Sequence, residues 1–145
     1  MGTRRKAREA ALQMLYQMDV SAAGVEQVVE LYHRFLAADA GAEETREPTE
    51  QDEFSIQLVR GVSNELSAID EIIRGVSQHW RLERMSRVDR NILRLATYEL
   101  MRLADVPRRV TLNEAVELAK RYGSDGSAGF VNGVLDRIAS DLHKA

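Results

Sequence analysis

The sequence predicts an all-α protein, and three observations carry that prediction. Ala, Leu, Glu and Arg are abundant and only two prolines interrupt the chain, a composition of residues that lose little freedom in a helix. Runs of β-branched residues, which would favour strands, are few. Apolar residues recur three and four apart over several long stretches, the period of an amphipathic helix. At 145 residues the chain suits a single domain, 1–145, able to bury a core without covalent staples. It has no cysteine, so neither a disulfide framework nor a thiolate metal site is expected, which fits a reducing compartment. No apolar run approaches the roughly 18 residues of a membrane span, and the N-terminus is charged where a signal peptide would be apolar. A cytoplasmic location is expected.

The first helix is predicted over Thr3 to Asp19. Ala7, Ala10, Ala11, Met14, Leu15 and Met18 share a face, and its alanines would allow close approach of a neighbour. Its first turn carries Arg4, Arg5 and Lys6, followed by Arg8, with no acid among the first eight residues. Cations there face the positive end of the helix dipole. Four cationic side chains beside exposed N–H groups can hold a phosphate, and a solvated, frayed terminus explains the same residues equally well. Tyr16 lies roughly opposite Ala7 and either packs against another helix, the favoured reading, or offers an exposed ring to a base or a partner.

Val25, Val28, Val29, Tyr32, Phe35 and Leu36 define a second helix from Val25 to Ala37. Residues 38–47 lack periodicity and read as a solvated acidic loop. Across positions 39–53, Asp39, Glu43, Glu44, Glu47, Glu50, Asp52 and Glu53 face Arg46 alone. The net charge of −3 therefore hides a basic start and an acidic middle, and partners feel such local fields. The acidic stretch lacks the spaced oxygens and turn glycine of a calcium loop.

Pro48-Thr49 followed by Asp52 opens a third helical region. Val59, Val62, Leu66, Ile69, Ile73, Val76 and Trp80 then alternate three and four apart, a seam suited to the inside of a bundle. Weak helix formers at Gly61 to Asn64 and at Gly75 can divide it in two, and Trp80 reads as a core anchor in preference to a stacking platform. Ser86 to Leu103 is the central helix, apolar over most of its circumference and so buried between neighbours. Ser86 is its predicted N-cap, with Asp89 three residues on. Glu99 falls within the apolar arc. A carboxylate there must be paired or hydrogen-bonded, and it reads as a clasp on a neighbouring helix end rather than a catalytic group.

Asp105-Val106-Pro107 makes a turn. Thr111-Leu112-Asn113-Glu114 has the form of a capping box, predicting a helix from Leu112 to about Gly123. Lys120 and Arg121 in its last turn suit the dipole. A six-residue loop, Ser124 to Gly129, precedes a last helix over Phe130 to Leu142. Gly133 inside that helix implies close backbone packing.

No catalytic constellation is legible. His33, His79 and His143 lack ligand spacing, no serine sits in a nucleophile elbow, and no dinucleotide or P-loop pattern occurs. The expectation is a non-enzymatic protein without metal or cofactor.

Three stretches together resemble one family: RRKAREAALQMLYQMD at the N-terminus, WRLERMSRVDRNILRLATYEL in the centre, and NEAVELAKRYG followed after a short loop by FVNGVLD. In order and spacing they resemble the NusB family of transcription antitermination factors. The resemblance implies an all-α fold of about seven helices in two packed helical sub-bundles. It also implies binding of boxA-type single-stranded RNA jointly with the small-subunit ribosomal protein also called NusE, within an RNA polymerase antitermination complex on ribosomal RNA operons. By position, it assigns RNA contact to Arg4, Arg5, Lys6 and Arg8, and a second contact region to Lys120, Arg121, Ser124, Asp125 and Ser127. Tyr16, Glu83 and Asp89 correspond to the protein-partner surface, where carboxylates suit a basic protein. The loop departs from many relatives, with Gly126 near a usual aspartate position. The alternative reading is a helical interaction or homodimerisation module without RNA binding of its own.

Overall fold

The computed structural model describes residues 2–39 and 49–145. Among them are seven α-helices, one 3-10 turn and no strand. The expected acidic loop therefore lies, from residue 40 onward, outside the described residues, while Ala38 and Asp39 belong to the end of the second helix. The chain forms two compact units, Met1–Arg60 and Gly61–Ala145.

The first unit holds α1 (Gly2–Ser21), α2 (Val25–Asp39) and most of α3 (Glu50–Asn64). Ala7, Ala11, Met14 and Leu15 are buried along α1, as predicted. The helix stops where Ala22 turns left-handed, at φ 57°, a conformation costly for a residue with a Cβ. Ser55 ties α3 to α1 by donating its hydroxyl to the Ala7 carbonyl at 2.9 Å. The start of α3 is a complete capping box: Thr49 Oγ1 accepts from the Asp52 N–H at 3.2 Å, and Asp52 Oδ2 accepts from the Thr49 N–H at 2.9 Å. Asp52 also accepts from the Tyr32 hydroxyl of α2 at 3.1 Å. Its burial is thus offset by several donors.

The second unit is organised by α5 (Arg87–Arg102), which packs against α4 (Leu66–Val76), α6 (Arg108–Tyr122) and α7 (Ser127–Asp141). Residues 91–93 and 95–100 are all buried, so every side of the helix is covered over its middle turns. Ser86 caps it, its Oγ accepting from the Asp89 N–H at 3.1 Å. Glu99 is 2% exposed and accepts from Thr111 Oγ1 at 3.4 Å. It does clasp a neighbouring helix end, the first turn of α6.

That pairing explains one correction. Thr111 is no N-cap: α6 begins at Arg108 after Pro107, and the threonine turns its hydroxyl inward to Glu99. The predicted seam along α3 and α4 is also only partly internal. Val59, Val62, Ile69 and Ile73 are buried, whereas Leu66 is exposed at the break between the helices and Trp80 is 64% exposed. Helix α4 ends at Val76, so the heptad count no longer governs where Trp80 points. Gly75 does not interrupt the helix.

The last loop is shorter than predicted, because Ser127, Ala128 and Gly129 form the first turn of α7. Gly126, at φ 87°, makes the reversal. Gly123 ends α6 with extended rather than left-handed backbone. It is required for space: a Cβ there would stand 2.6 Å from Ser127 Oγ and 2.7 Å from the Ala119 carbonyl oxygen. Gly133 has open space instead of a close neighbour, contrary to expectation. The C-terminal tail returns to the start of this helical pair. The Arg108 N–H donates to the Ala145 carbonyl at 2.8 Å, and Lys144 Nζ donates to the Leu103 carbonyl at 2.9 Å.

Among the described glycines Gly61 has the least room, since a Cβ there would lie 2.2 Å from Cζ of the buried Tyr98. Gly61→Ala should lower stability in urea unfolding by about 1–3 kcal/mol through overpacking. Gly75→Ala, in open space, should raise it by about 0.5–1 kcal/mol through helix propensity. Equal midpoints for the two variants would show that Tyr98 yields without cost.

Candidate nucleic-acid interface

In the first unit, Arg4, Arg5 and Lys6 are exposed on the opening turns of α1, and that turn holds no acidic residue. Arg4 lies 4.5 Å from the centroid of the Phe54 ring and Arg8 5.7 Å from it. Such stacking holds a guanidinium in place while leaving its N–H edge able to bond an anion. Arg8 differs from the other three in being only 3% exposed, so the cluster presents three cations to solvent rather than four. Tyr16 does not pack inward, since it is 41% exposed. Eleven residues after Arg5, it falls about 20° from it on the helix wheel and about 16 Å along the axis.

In the second unit, Lys120 and Arg121 are exposed in the last turn of α6. Lys120 Nζ stands 3.6 Å from Glu117 Oε1, and Arg121 lies 5.6 Å from the centroid of the Tyr122 ring. Ser124 and Asp125 are exposed, but Ser127 is buried and its Oγ accepts from the Ser124 N–H at 3.0 Å. Its hydroxyl therefore shapes the loop.

These loop residues line a cleft of about 340 Å³ with Trp80, Arg84, Asp89 and Phe130. The structure thus joins Asp89 to the loop, two groups that sequence assigned to different partners. Asp89 Oδ1 is shut off from solvent and has no hydrogen-bond partner among the described residues. Trp80 meets Phe130 edge to face, with centroids 6.0 Å apart and planes at 74°. The sequence favours a core anchor over a stacking platform for Trp80, and it singles out no site role for Phe130. The one legible hint was that Trp80 follows the polar Gln78 and His79 and precedes Arg81. Glu83 lies on the 3-10 turn Leu82–Arg84, exposed and bonded to Arg74 Nη2 at 2.7 Å.

The model of the NusB family matches residues 5–140. This chain belongs to that family. NusB relatives include the transcription antitermination protein of Sorangium cellulosum (strain So ce56), 51% identical over 142 residues covering 98% of this chain and 95% of the relative. That of Myxococcus xanthus (strain DK1622) is 44% identical over 144 residues, 99% of each. Among solved structures, T. maritima NusB superposes with a TM-score of 0.81 at 41% identity, covering 95% of this chain and 91% of that one. A chain from the crystal structure of the antitermination factors NusB and NusE in complex with dsRNA gives 0.78 at 28% identity, covering 97% and 98%. Among the described residues, no helix is long and apolar enough to cross a membrane, and no group of three His, Cys, Asp or Glu could hold a metal ion.

Hydrogen bonds from arginine hold three carboxyls below their usual value of 4.5: Glu83 by Arg74, Glu65 by Arg102 and Glu26 by Arg60. A carboxyl with a lowered folded-state pKa contributes stability above its unfolded value and loses it as the pH falls through the folded one. The melting temperature should therefore fall on acidification below about pH 4.5, more at low salt than at high salt. Glu83→Gln should shallow that fall in a thermal melt series. An unchanged slope would assign acid sensitivity to other groups.

Proposed function

We propose that this chain binds boxA-type single-stranded RNA together with the small-subunit ribosomal protein also called NusE, and so promotes processive transcription of ribosomal RNA operons. Antitermination is the function of its family, and the chain is a non-enzymatic factor of that kind. We place its action in the cytoplasm and treat residues 1–145 as one RNA-binding domain.

The observation that carries this reading is the exposed Arg4-Arg5-Lys6 turn at the head of α1. Cations at that end of a helix repel its dipole, and a bound phosphate relieves the repulsion by bonding both the side chains and the free N–H groups. Arg4 and Arg8, stacked on Phe54, have different parts. Arg4 contacts RNA, whereas Arg8 sets the position of the turn. Lys120 and Arg121 supply further phosphate contacts, and Ser124 and Asp125 offer polar groups to bases. Tyr16 and Glu83, both exposed, offer an aromatic ring and a carboxylate to a basic partner. Asp89, in the cleft wall, is less open to one.

The test is anisotropy of a labelled boxA-like RNA and a scrambled control, with and without the ribosomal partner, over a range of salt. Binding that depends on sequence and is strengthened by the partner is expected. Replacing Arg4, Arg5 and Lys6 with Ala should weaken it and reduce the slope of log affinity against log salt by about 2, at roughly 0.7 per phosphate contact. Arg8→Ala should instead lower the melting temperature with little change of slope. Absence of RNA binding, accompanied by self-association, would favour the dimerisation module.

A further inference from the structure

We propose that Phe54 of α3 is the positioning residue of the basic turn: its ring holds the Arg4 guanidinium where it meets an RNA phosphate, and holds it without cancelling its charge. This rests on the RNA-binding reading above and gives a part in it to a buried apolar residue.

Other exposed arginines of the protein are held by carboxylates. Arg34 meets Glu30 at 2.7 Å, Arg60 meets Glu26 at 2.8 Å, and Arg74 meets Glu83 at 2.7 Å. Each such pair neutralises its cation and leaves less for a phosphate to gain. Arg4 is held in another way. It is exposed, its guanidinium lies 4.5 Å from the Phe54 centroid, and no carboxylate among the described residues bridges to it. A ring attracts a cation through its quadrupole and carries no net charge. The guanidinium therefore keeps both its charge and its N–H edge for an anion.

The ring is itself fixed. Phe54 is 9% exposed, and its neighbours in α3 are anchored to both other helices of the unit. Asp52 accepts from the Tyr32 hydroxyl of α2 and closes the capping box with Thr49, while Ser55 donates to the Ala7 carbonyl of α1. Arg8, one turn on from Arg4, is buried and lies 5.7 Å from the same ring. The basic turn is thus seated at two points on one ring. Without that seat, a helix end whose dipole opposes its cations would be prone to fray.

The seat matters for binding through entropy. A free arginine side chain has much rotamer freedom to lose when it meets a phosphate. Arg4 has given up part of that freedom before RNA arrives, and such preorganisation strengthens binding without adding a contact.

The test is anisotropy of a labelled boxA-like RNA, with the ribosomal partner present, over a range of salt. Phe54→Leu keeps an apolar side chain in the core and removes the ring. It should weaken binding about three- to tenfold, within the span of a cation–π contact. The slope of log affinity against log salt should hold, because every cation is still present. Arg4→Ala should instead reduce that slope by roughly 0.7. In the Arg4→Ala background Phe54→Leu should have little further effect, whereas with Lys120→Ala the two losses should multiply. Phenylalanine carrying successively more ring fluorines, placed at Phe54 alone, drains the ring face with little change of size. Affinity should fall stepwise along that series while the melting temperature holds.

Unchanged affinity along the fluorinated series would overturn the cation–π role and reduce Phe54 to core packing, even if Phe54→Leu proved too unstable to assay. Independent losses from Phe54→Leu and Arg4→Ala would overturn the coupling through Arg4. Both results would leave the RNA-binding reading standing. Absence of RNA binding by the unaltered protein with its partner would remove that reading and this inference with it.

Discussion

A helix covered on all sides must also bury its polar residues, and the second unit depends on how α5 solves that problem. Arg94 reaches Asp70 of α4 with two parallel bonds of 2.9 and 3.0 Å, the two side chains being 14% and 11% exposed. Asn91 accepts from the same guanidinium at 3.3 Å, and Glu99 takes the Thr111 hydroxyl of α6. The contacts to Asp70 and Thr111 each fix a neighbour at one height along α5, where apolar packing alone would allow sliding. The geometry is demanding, since removing one partner of such a pair leaves a charge in a poorly solvated place, typically at a cost of about 3–5 kcal/mol. The outward-facing residues can then vary without disturbing the frame.

The two candidate surfaces are placed by different means. At the head of α1, three exposed cations stand where the helix dipole resists them, and an aromatic ring from α3 holds one of them along with the buried Arg8. Local stability is given up there, a frequent signature of function over folding. At the end of α6 the cations suit the dipole, so Lys120 and Arg121 need no ligand to explain their position. The first surface therefore argues for a ligand by itself. The second does so through the cleft next to it.

The fold was largely legible because helical periodicity records which face is buried. The buried face of α1 and the enclosure of α5 emerged from spacing, as did the burial of Glu99, and the Ser86 cap from residue type. Reading failed where a local motif had two uses. Thr111 begins a sequence that looks like a capping box, yet its hydroxyl is taken by a carboxylate twelve residues earlier, which no local pattern reveals. Trp80 fitted a heptad count whose helix had already ended. The basic turn could be seen but not interpreted without family resemblance, and the burial of Arg8 depends on Phe54, far away in the sequence. The cleft was invisible, because its walls come from two stretches, 80–89 and 124–130, far apart in the sequence.

The returning tail gives the second unit a property that its helices alone would not. Ala145 caps the first turn of α6, and Lys144 covers the last carbonyl after α5, so the segment from Leu103 to the end of the chain closes on itself without a covalent link. Neither α6 nor α7 can fray far unless that closure opens. Their backbone amides are thereby coupled into one cooperative unit for hydrogen exchange, with protection set by the closure as well as by each helix. A short deletion at the tail would loosen amides at the far end of the pair, many residues away in sequence.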